Sequence, residues 1–296
     1  MTRSRGDLLA LLALVSASTL WASSFVALKV AFRHYDPMLV IFGRMAVASL
    51  CFALAWKGLR AGISYRRGDW KPLLFMAVCE PCFYFIFEAM ALKHTDASQA
   101  GMITAMLPLL VAVAARFVLK EHISRRTLAG FGVAIAGAIL LSAGGQATLS
   151  SPNPALGNFM EFLAMVCATG YMITLKSLSA RYSPWVLTSL QAFVGALFYL
   201  PLALGPWAPP IGEFEPLGLA AILYLGMFVT IGGYGFYNYG MSKVPANQAS
   251  AFINLIPVIT LFLGWAMLDE QLSPAQYAAS GLVLAGVFLS QDRRKA

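Results

Sequence analysis

The run LLALLALVSASTLWASSFVALKV, Leu8 to Val30, decides the architecture of this chain. Lys29 is its only charged residue. As an α-helix the run rises about 34 Å, and a bilayer's hydrocarbon is crossed by about 20 apolar residues. Arg3 and Arg5 precede it, but the run is too long for the core of a cleavable signal peptide, so it reads as a membrane span. The same criterion, carried outward, predicts spans near residues 8–32, 37–56, 73–92, 97–119, 127–144, 157–178, 184–204, 217–240, 246–268 and 274–290. The connections are short and marked by breakers: Asp36-Pro37, Ser183-Pro184, the proline-rich stretch Pro206 to Pro216, and Ser273-Pro274. The expected fold is all-α and integral to a membrane, with ten antiparallel transmembrane helices.

Composition agrees. In a chain of 296 residues, 59% hydrophobic against 11% charged leaves too little polar surface for a water-facing globule. A net charge of +8 raises nucleic acid as a partner, but the basic residues fall between the apolar runs rather than on one amphipathic face. That is the signature of topology, and no nucleic acid is expected. With the N-terminus cytoplasmic, the inner segments collect 17 of the 21 Lys and Arg residues, among them Arg60, Arg66, Arg67, Lys120, Arg125, Arg126 and Arg293 to Lys295. The outer loops hold Arg33 and Lys93. Basic residues gather on the cytoplasmic side of membrane proteins, so both termini are expected inside an inner membrane. Cys51, Cys79, Cys82 and Cys167 all lie in apolar runs and read as small buried hydrophobes. Cys79 and Cys82 form a CxxC, yet no second Cys or His pair stands at a zinc-binding spacing. No cofactor or metal is expected.

The two halves, residues 1–150 and 151–296, are related. An offset of 147 residues aligns Leu28-Lys29 with Leu175-Lys176, Tyr35 with Tyr182 and Pro37 with Pro184. An offset of 149 aligns Gln99-Ala100 with Gln248-Ala249, Pro108 with Pro257, Glu121 with Glu270, Gly132 with Gly281 and Gly137 with Gly286. Five spans is an odd number, so the second half enters the membrane from the opposite side. Two inverted five-helix repeats around a central cavity are the architecture of alternating access; the alternative is an ancestral duplication in a structural or enzymatic protein. The segment Leu20 to Lys29 resembles the first-helix motif of the EamA-type drug/metabolite transporter superfamily. Pro108 to Gly137 and Pro257 to Gly286 resemble it too, each a proline-started helix, an acidic residue in a short loop and a glycine-bearing last helix. Lys120-Glu121 departs from the usual Gly-Glu, and Ala22 stands where the family often has Gly. The resemblance covers nearly the whole chain, extends to ten-helix amino-acid exporters, and implies transport of a small molecule.

Charges inside a bilayer are costly unless paired or hydrated, so they are the first functional suspects. Arg44 and Glu88 fall at similar depths in the second and third spans and are expected to pair, as a structural ion pair or a coupling site. Glu80 lies deeper, beside Pro81, which frees a carbonyl in the previous turn. Low dielectric disfavours the charged form of an unpaired carboxylate, so Glu80 could bind a proton or receive an ammonium group; the alternative is a neutral side chain hydrogen-bonded to a neighbouring helix. Tyr84 shares a helix face with Glu80 and Glu88. The segment Gly232 to Gly240 carries Tyr234, Tyr237 and Asn238, which either line a cavity or serve helix packing. Trp21 and Tyr171 occupy nearly matching places in the two halves and are candidates to face the centre, with lipid-facing packing as the alternative. Asn254 and Gln191 are buried polar groups that touch either substrate or another helix. Lys29 and Lys176 read as snorkelling anchors or gate residues.

A strongly anionic substrate would need several central cations, and Arg44 alone is deeply placed. The expectation is therefore export of neutral or zwitterionic, apolar or aromatic amino acids and related metabolites by a functional monomer in the lipid bilayer. Drugs or other small metabolites are the alternative cargo. An intramembrane enzyme or a channel is the alternative class. The chain has no HExxH, only His34, His94 and His122, and no GxxxxGK[ST] phosphate loop.

Overall fold

The computed structural model describes residues 5–59, 65–118, 125–210, 212–244 and 246–290. Arg3, Arg60, Lys120, Glu121, His122 and Arg293 to Lys295 lie outside them, so the first-half acidic loop of the repeat motif is not described. Among the described residues there are helices and no strand. Nine helical stretches among the described residues are long and apolar enough to cross a membrane. They are α1 (Arg5–Phe32), α2 (Pro37–Leu54), α3 (Trp70–His94), α4 (Ala97–Val118), α5 (Arg125–Ala143), α6 (Pro154–Leu178), α7 (Pro184–Leu204), α8 (Pro216–Lys243) and α9 (Gln248–Leu268). A tenth apolar helix, α10 (Pro274–Ser290), has 17 described residues. Its rise of about 26 Å is at the short end of what spans hydrocarbon. Here the near face is the side from which α1 starts, and the far face the side where it ends.

Helix starts follow local chemistry. Proline takes the first turn of α2, α6, α7 and α8, where its missing N–H costs nothing. Asp36, Asn153 and Ser183 cap three of these, each accepting a backbone N–H with its side-chain oxygen at 2.9–3.3 Å. At α10, Ser273 and Gln276 exchange two hydrogen bonds of 2.9 and 3.3 Å. Glu270 caps α4 from a distant loop, its carboxylate accepting from the N–H groups of Ala97 and Ser98 at 2.8 Å each.

Apolar side chains such as Leu54, Phe117, Leu197 and Phe262 are exposed on the outside of the bundle, which suits lipid and not water. Inside, close packing rests on small residues. A Cβ at Gly286 would stand 2.5 Å from the backbone N of Ala134, and one at Gly130 2.5 Å from the carbonyl of Gly286, so α5 and α10 touch backbone to backbone. Of the glycines that align between the halves, Gly137 and Gly286 lie in this contact, whereas Gly132 and Gly281 face open space.

Four helices are irregular where they approach the centre. A wide π turn interrupts α3 at Val78–Phe83 and α8 at Leu225–Tyr234. A tight 3₁₀ turn interrupts α4 at Thr104–Met106 and α9 at Phe252–Asn254. In a membrane such breaks are tolerated only where protein or water satisfies the freed backbone groups.

Candidate functional site

The break in α3 is explained by Pro81, which has no N–H to donate, and by the extended backbone of Glu80 (φ −149°, ψ 117°). The carbonyls released there are taken up by α7. Gln191 Nε2 donates to the carbonyl of Glu80 at 3.3 Å, and the Tyr199 hydroxyl reaches those of Pro81 and Cys82 at 3.2 and 2.5 Å. Glu80 is thereby aimed into the bundle. Its carboxylate accepts a hydrogen bond from the Tyr234 hydroxyl, which comes from the π turn of α8.

Around this contact lies a cavity walled by Trp21, Phe25, Phe85, Tyr171 and Tyr234, with Arg44, Glu80, Tyr84 and Glu88 as its charged and polar groups. The rings pack edge to face: Trp21 and Tyr171 lie 5.1 and 6.3 Å from Tyr234, centre to centre. The indole N–H of Trp21 is buried without a hydrogen-bond partner. Thr104 and Leu107 from the broken part of α4, and Ile253 and Ile256 from that of α9, complete the wall. The cavity volume open to water is about 30 Å³, room for about two waters, so a metabolite fits only after the walls part.

Arg44, 1% exposed, is held by three weak contacts. Its Nε donates to Thr230 at 3.2 Å, its guanidinium lies 4.4 Å over the Phe85 ring, and its terminal nitrogen approaches Glu88 only to 3.9 Å. Glu88 accepts instead from Tyr84 at 3.0 Å, one turn earlier on the same helix. The expected Arg44–Glu88 pair is therefore an ion-pair contact without a hydrogen bond.

Three residues expected at the site stand behind or beside it. Tyr237 packs on Trp21 at 4.7 Å and turns its hydroxyl to the Met172 sulfur at 3.3 Å. Asn238 accepts from the Tyr171 hydroxyl at 2.6 Å and donates to Thr188 at 2.8 Å, bracing the wall from outside. Asn254 is half-buried at the end of the α9 break, its side-chain oxygen without a partner, and its neighbour Ile253 lines the cavity instead. Lys29 and Lys176 sit at helix ends: Lys29 donates to the Ser150 carbonyl at 2.7 Å, and Lys176 to those of Met241 and Val244 at 2.8 Å each. Cys79 and Cys82 are free thiols, and no cluster of metal-ligating side chains occurs among the described residues.

One buried charge escaped the sequence reading. Glu161 on α6 is 0% exposed, and neither carboxylate oxygen has a hydrogen-bond partner. A span begun at residue 157 puts this glutamate near a helix end. The Asn153 cap and Pro154 start the helix a turn earlier and carry Glu161 into the hydrocarbon depth. The Asn-Pro start signal in the sequence could have revealed it.

Comparison with known proteins gives the family and the fold. The EamA-like transporter family matches residues 6–143 and again 155–291. An uncharacterized transporter of Archaeoglobus fulgidus is 27% identical over 93% of this chain and 96% of its own. A probable terminal-alkyne amino-acid exporter of Streptantibioticus cattleyicolor is 26% identical over 95% of this chain and 93% of its own. A solved crystal structure shares the fold at TM-score 0.66, 21% identical, covering 98% of this chain and 97% of that one.

Proposed function

The chain is a member of the EamA-like transporter family, a multi-pass membrane protein and not an enzyme, and from that premise we propose that it exports zwitterionic amino acids with aromatic or aliphatic side chains by alternating access. The observation that carries this reading is that a loosely held guanidinium, Arg44, and the Glu80 carboxylate both line one cavity with an aromatic wall. Arg44 has donors to spare for a carboxylate, Glu80 can take an ammonium group, and the rings of Trp21, Phe85 and Tyr171 suit an apolar side chain. Tyr84 and Tyr234 hold the acids in place. Tyr237 and Asn238 fix the rings from behind, and Asn254 stands near the α9 break as a later contact. The terminal-alkyne amino-acid exporter among the relatives supports the same substrate class.

Alternating access is supported by the cavity's composition. Trp21, Ser24 and Phe25 line it together with Ala168, Tyr171 and Met172, their equivalents at the 147-residue offset. Thr104 and Leu107 line it with Ile253 and Ile256, their equivalents at 149. An axis relating two inverted repeats, 1–150 and 151–296, would therefore run through the cavity, and rocking one repeat against the other would open it to each face in turn. We place the near face and both termini in the cytoplasm, on the distribution of Lys and Arg, and the chain in the inner membrane as a monomer.

Purified protein in liposomes tests the proposal. Saturable uptake of labelled phenylalanine and leucine, with counterflow, is expected for the native chain, and Glu80→Gln should abolish it. Movement of a drug or sugar panel instead of any amino acid would overturn the substrate assignment.

A further inference from the structure

Three carboxyl groups and one guanidinium are buried together in this bundle. Glu80, Glu88, Glu161 and Arg44 are each at most 3% exposed. If all the acids are ionised, two negative charges stand uncompensated in low dielectric, which is strongly unfavourable. A zwitterionic substrate carries no net charge, so its arrival leaves that imbalance unchanged. Protons change it.

Packing singles out where a proton goes. α3 and α6 run antiparallel, and a Cβ at Gly157 would stand 2.9 Å from the carbonyl of Ala91 and 2.6 Å from Thr95. One turn further in, the same register faces Glu161 toward Glu88. Both lie about 10 Å below the far ends of their helices. Glu161 has no hydrogen bond at all, and Glu88 has one oxygen without any.

The other groups on the elements packed against α6 do not supply the missing charge. On α3 they are Tyr84, the deeper Cys79, Cys82 and Glu80, Lys93 and His94 at the far end, and Lys71 at the near end. α4 offers Arg116, α5 Arg125 and Arg126, and α8 Lys243, all at near-face helix ends, with Tyr239, Tyr237, Tyr234 and Tyr224 further up α8. α9 offers no titratable side chain among its described residues, and α6 itself carries Cys167, Tyr171 and Lys176, the last at its near end. Arg44, on α2, forms its ion pair with Glu88. Above Glu161, on the same face of α6, Asn158 accepts from Thr95 at 3.0 Å and donates to Gln99 at 3.2 Å, and Gln99 donates to Asp96 at 3.1 Å. A polar ladder thus descends from the far face to one turn above Glu161.

We propose that Glu161 and Glu88 form a carboxyl pair that binds a transported proton, carried in by water from the far face past the polar side chains of Asp96, Gln99 and Asn158. The proton adds to one carboxylate oxygen and leaves as the same proton when the cavity opens to the other face. Coupling to amino acids rests on the transport reading above, whereas the proton site does not.

The test uses the full chain in liposomes, comparing wild type, Glu161→Gln and Glu161→Asp. For the wild type, an imposed pH gradient should drive labelled leucine to accumulate. Glu161→Gln should lose that accumulation while counterflow at equal pH persists, and Glu161→Asp should recover part of it. Undiminished gradient-driven accumulation in Glu161→Gln, or none in a wild type that shows counterflow, overturns the proposal. Infrared difference spectra across pH judge the site without any substrate: a titrating protonated-carboxyl band lost in Glu161→Gln supports it, and identical spectra overturn it. If no amino acid moves at all, the substrate reading fails and the infrared result alone decides the proton site.

Discussion

At the scale of single residues, the cavity is governed by groups that are under-satisfied. Tyr234 is the hydroxyl that keeps Glu80 in place, and Phe keeps the ring while removing the donor. Tyr234→Phe is expected to lower stability by about 1–3 kcal/mol, the cost of leaving a buried acceptor unpaired, read as a fall in Tm in detergent. Arg44→Lys keeps the charge but loses the Thr230 bond made by Nε and the planar contact with Phe85. The KM for labelled phenylalanine should rise about tenfold, corresponding to roughly 1.4 kcal/mol; an unchanged KM would confine Arg44 to the fold. Arg44 and Glu80 were legible as candidates because a charge in an apolar run is conspicuous. Glu161 was not, because its depth depends on where the helix begins.

At the scale of elements, backbone contact between α5 and α10 replaces side-chain interdigitation, as expected where lipid provides no hydrophobic drive for helices to associate. Gly286→Leu would force a side chain into the backbone of Ala134 and should destabilise by about 1–3 kcal/mol or prevent folding altogether. Gly281→Leu, with nothing within 4 Å of its Cβ, should be accepted. Melting curves of the two variants separate these outcomes. Sequence alignment of the halves pairs Gly132 with Gly281 and Gly137 with Gly286 as if equal. Only the rotation of the packed helices assigns one pair to protein and the other to open surface.

At the scale of the whole molecule, the two faces are tied differently. On the near face the Asp69 carboxylate accepts from the Tyr182 hydroxyl at 2.7 Å and pairs with Arg181 at 2.9 Å, joining the start of α3 to the α6–α7 turn. On the far face the matching Tyr35 makes two backbone bonds to Glu215, of 2.9 and 3.2 Å. The Tyr182 hydrogen bond, with Arg181, holds Asp69 below the usual carboxylate range, while burial and the Asp69 contact push Tyr182 up to about 12. A depressed carboxylate contributes stability above its unfolded pKa of about 3.9, and loses it as pH falls through the folded value. Asp69→Asn should therefore lower Tm at neutral pH, with the gap to wild type closing as acid protonates Asp69. What the sequence determined by itself was the all-helical membrane fold and the approximate positions of its spans, with the starts of α3 and α6 displaced by a turn. Lipid obliges each segment to satisfy its backbone internally, which makes apolar length, proline and capping residues locally decisive. What tertiary structure decided was the facing of side chains: Glu161 toward Glu88, Tyr234 inward and Tyr237 behind it, Asn254 off the wall. Lipid and protein interior are both apolar, so a spanning helix carries little periodicity to say which side looks inward, and only packing against its neighbours does.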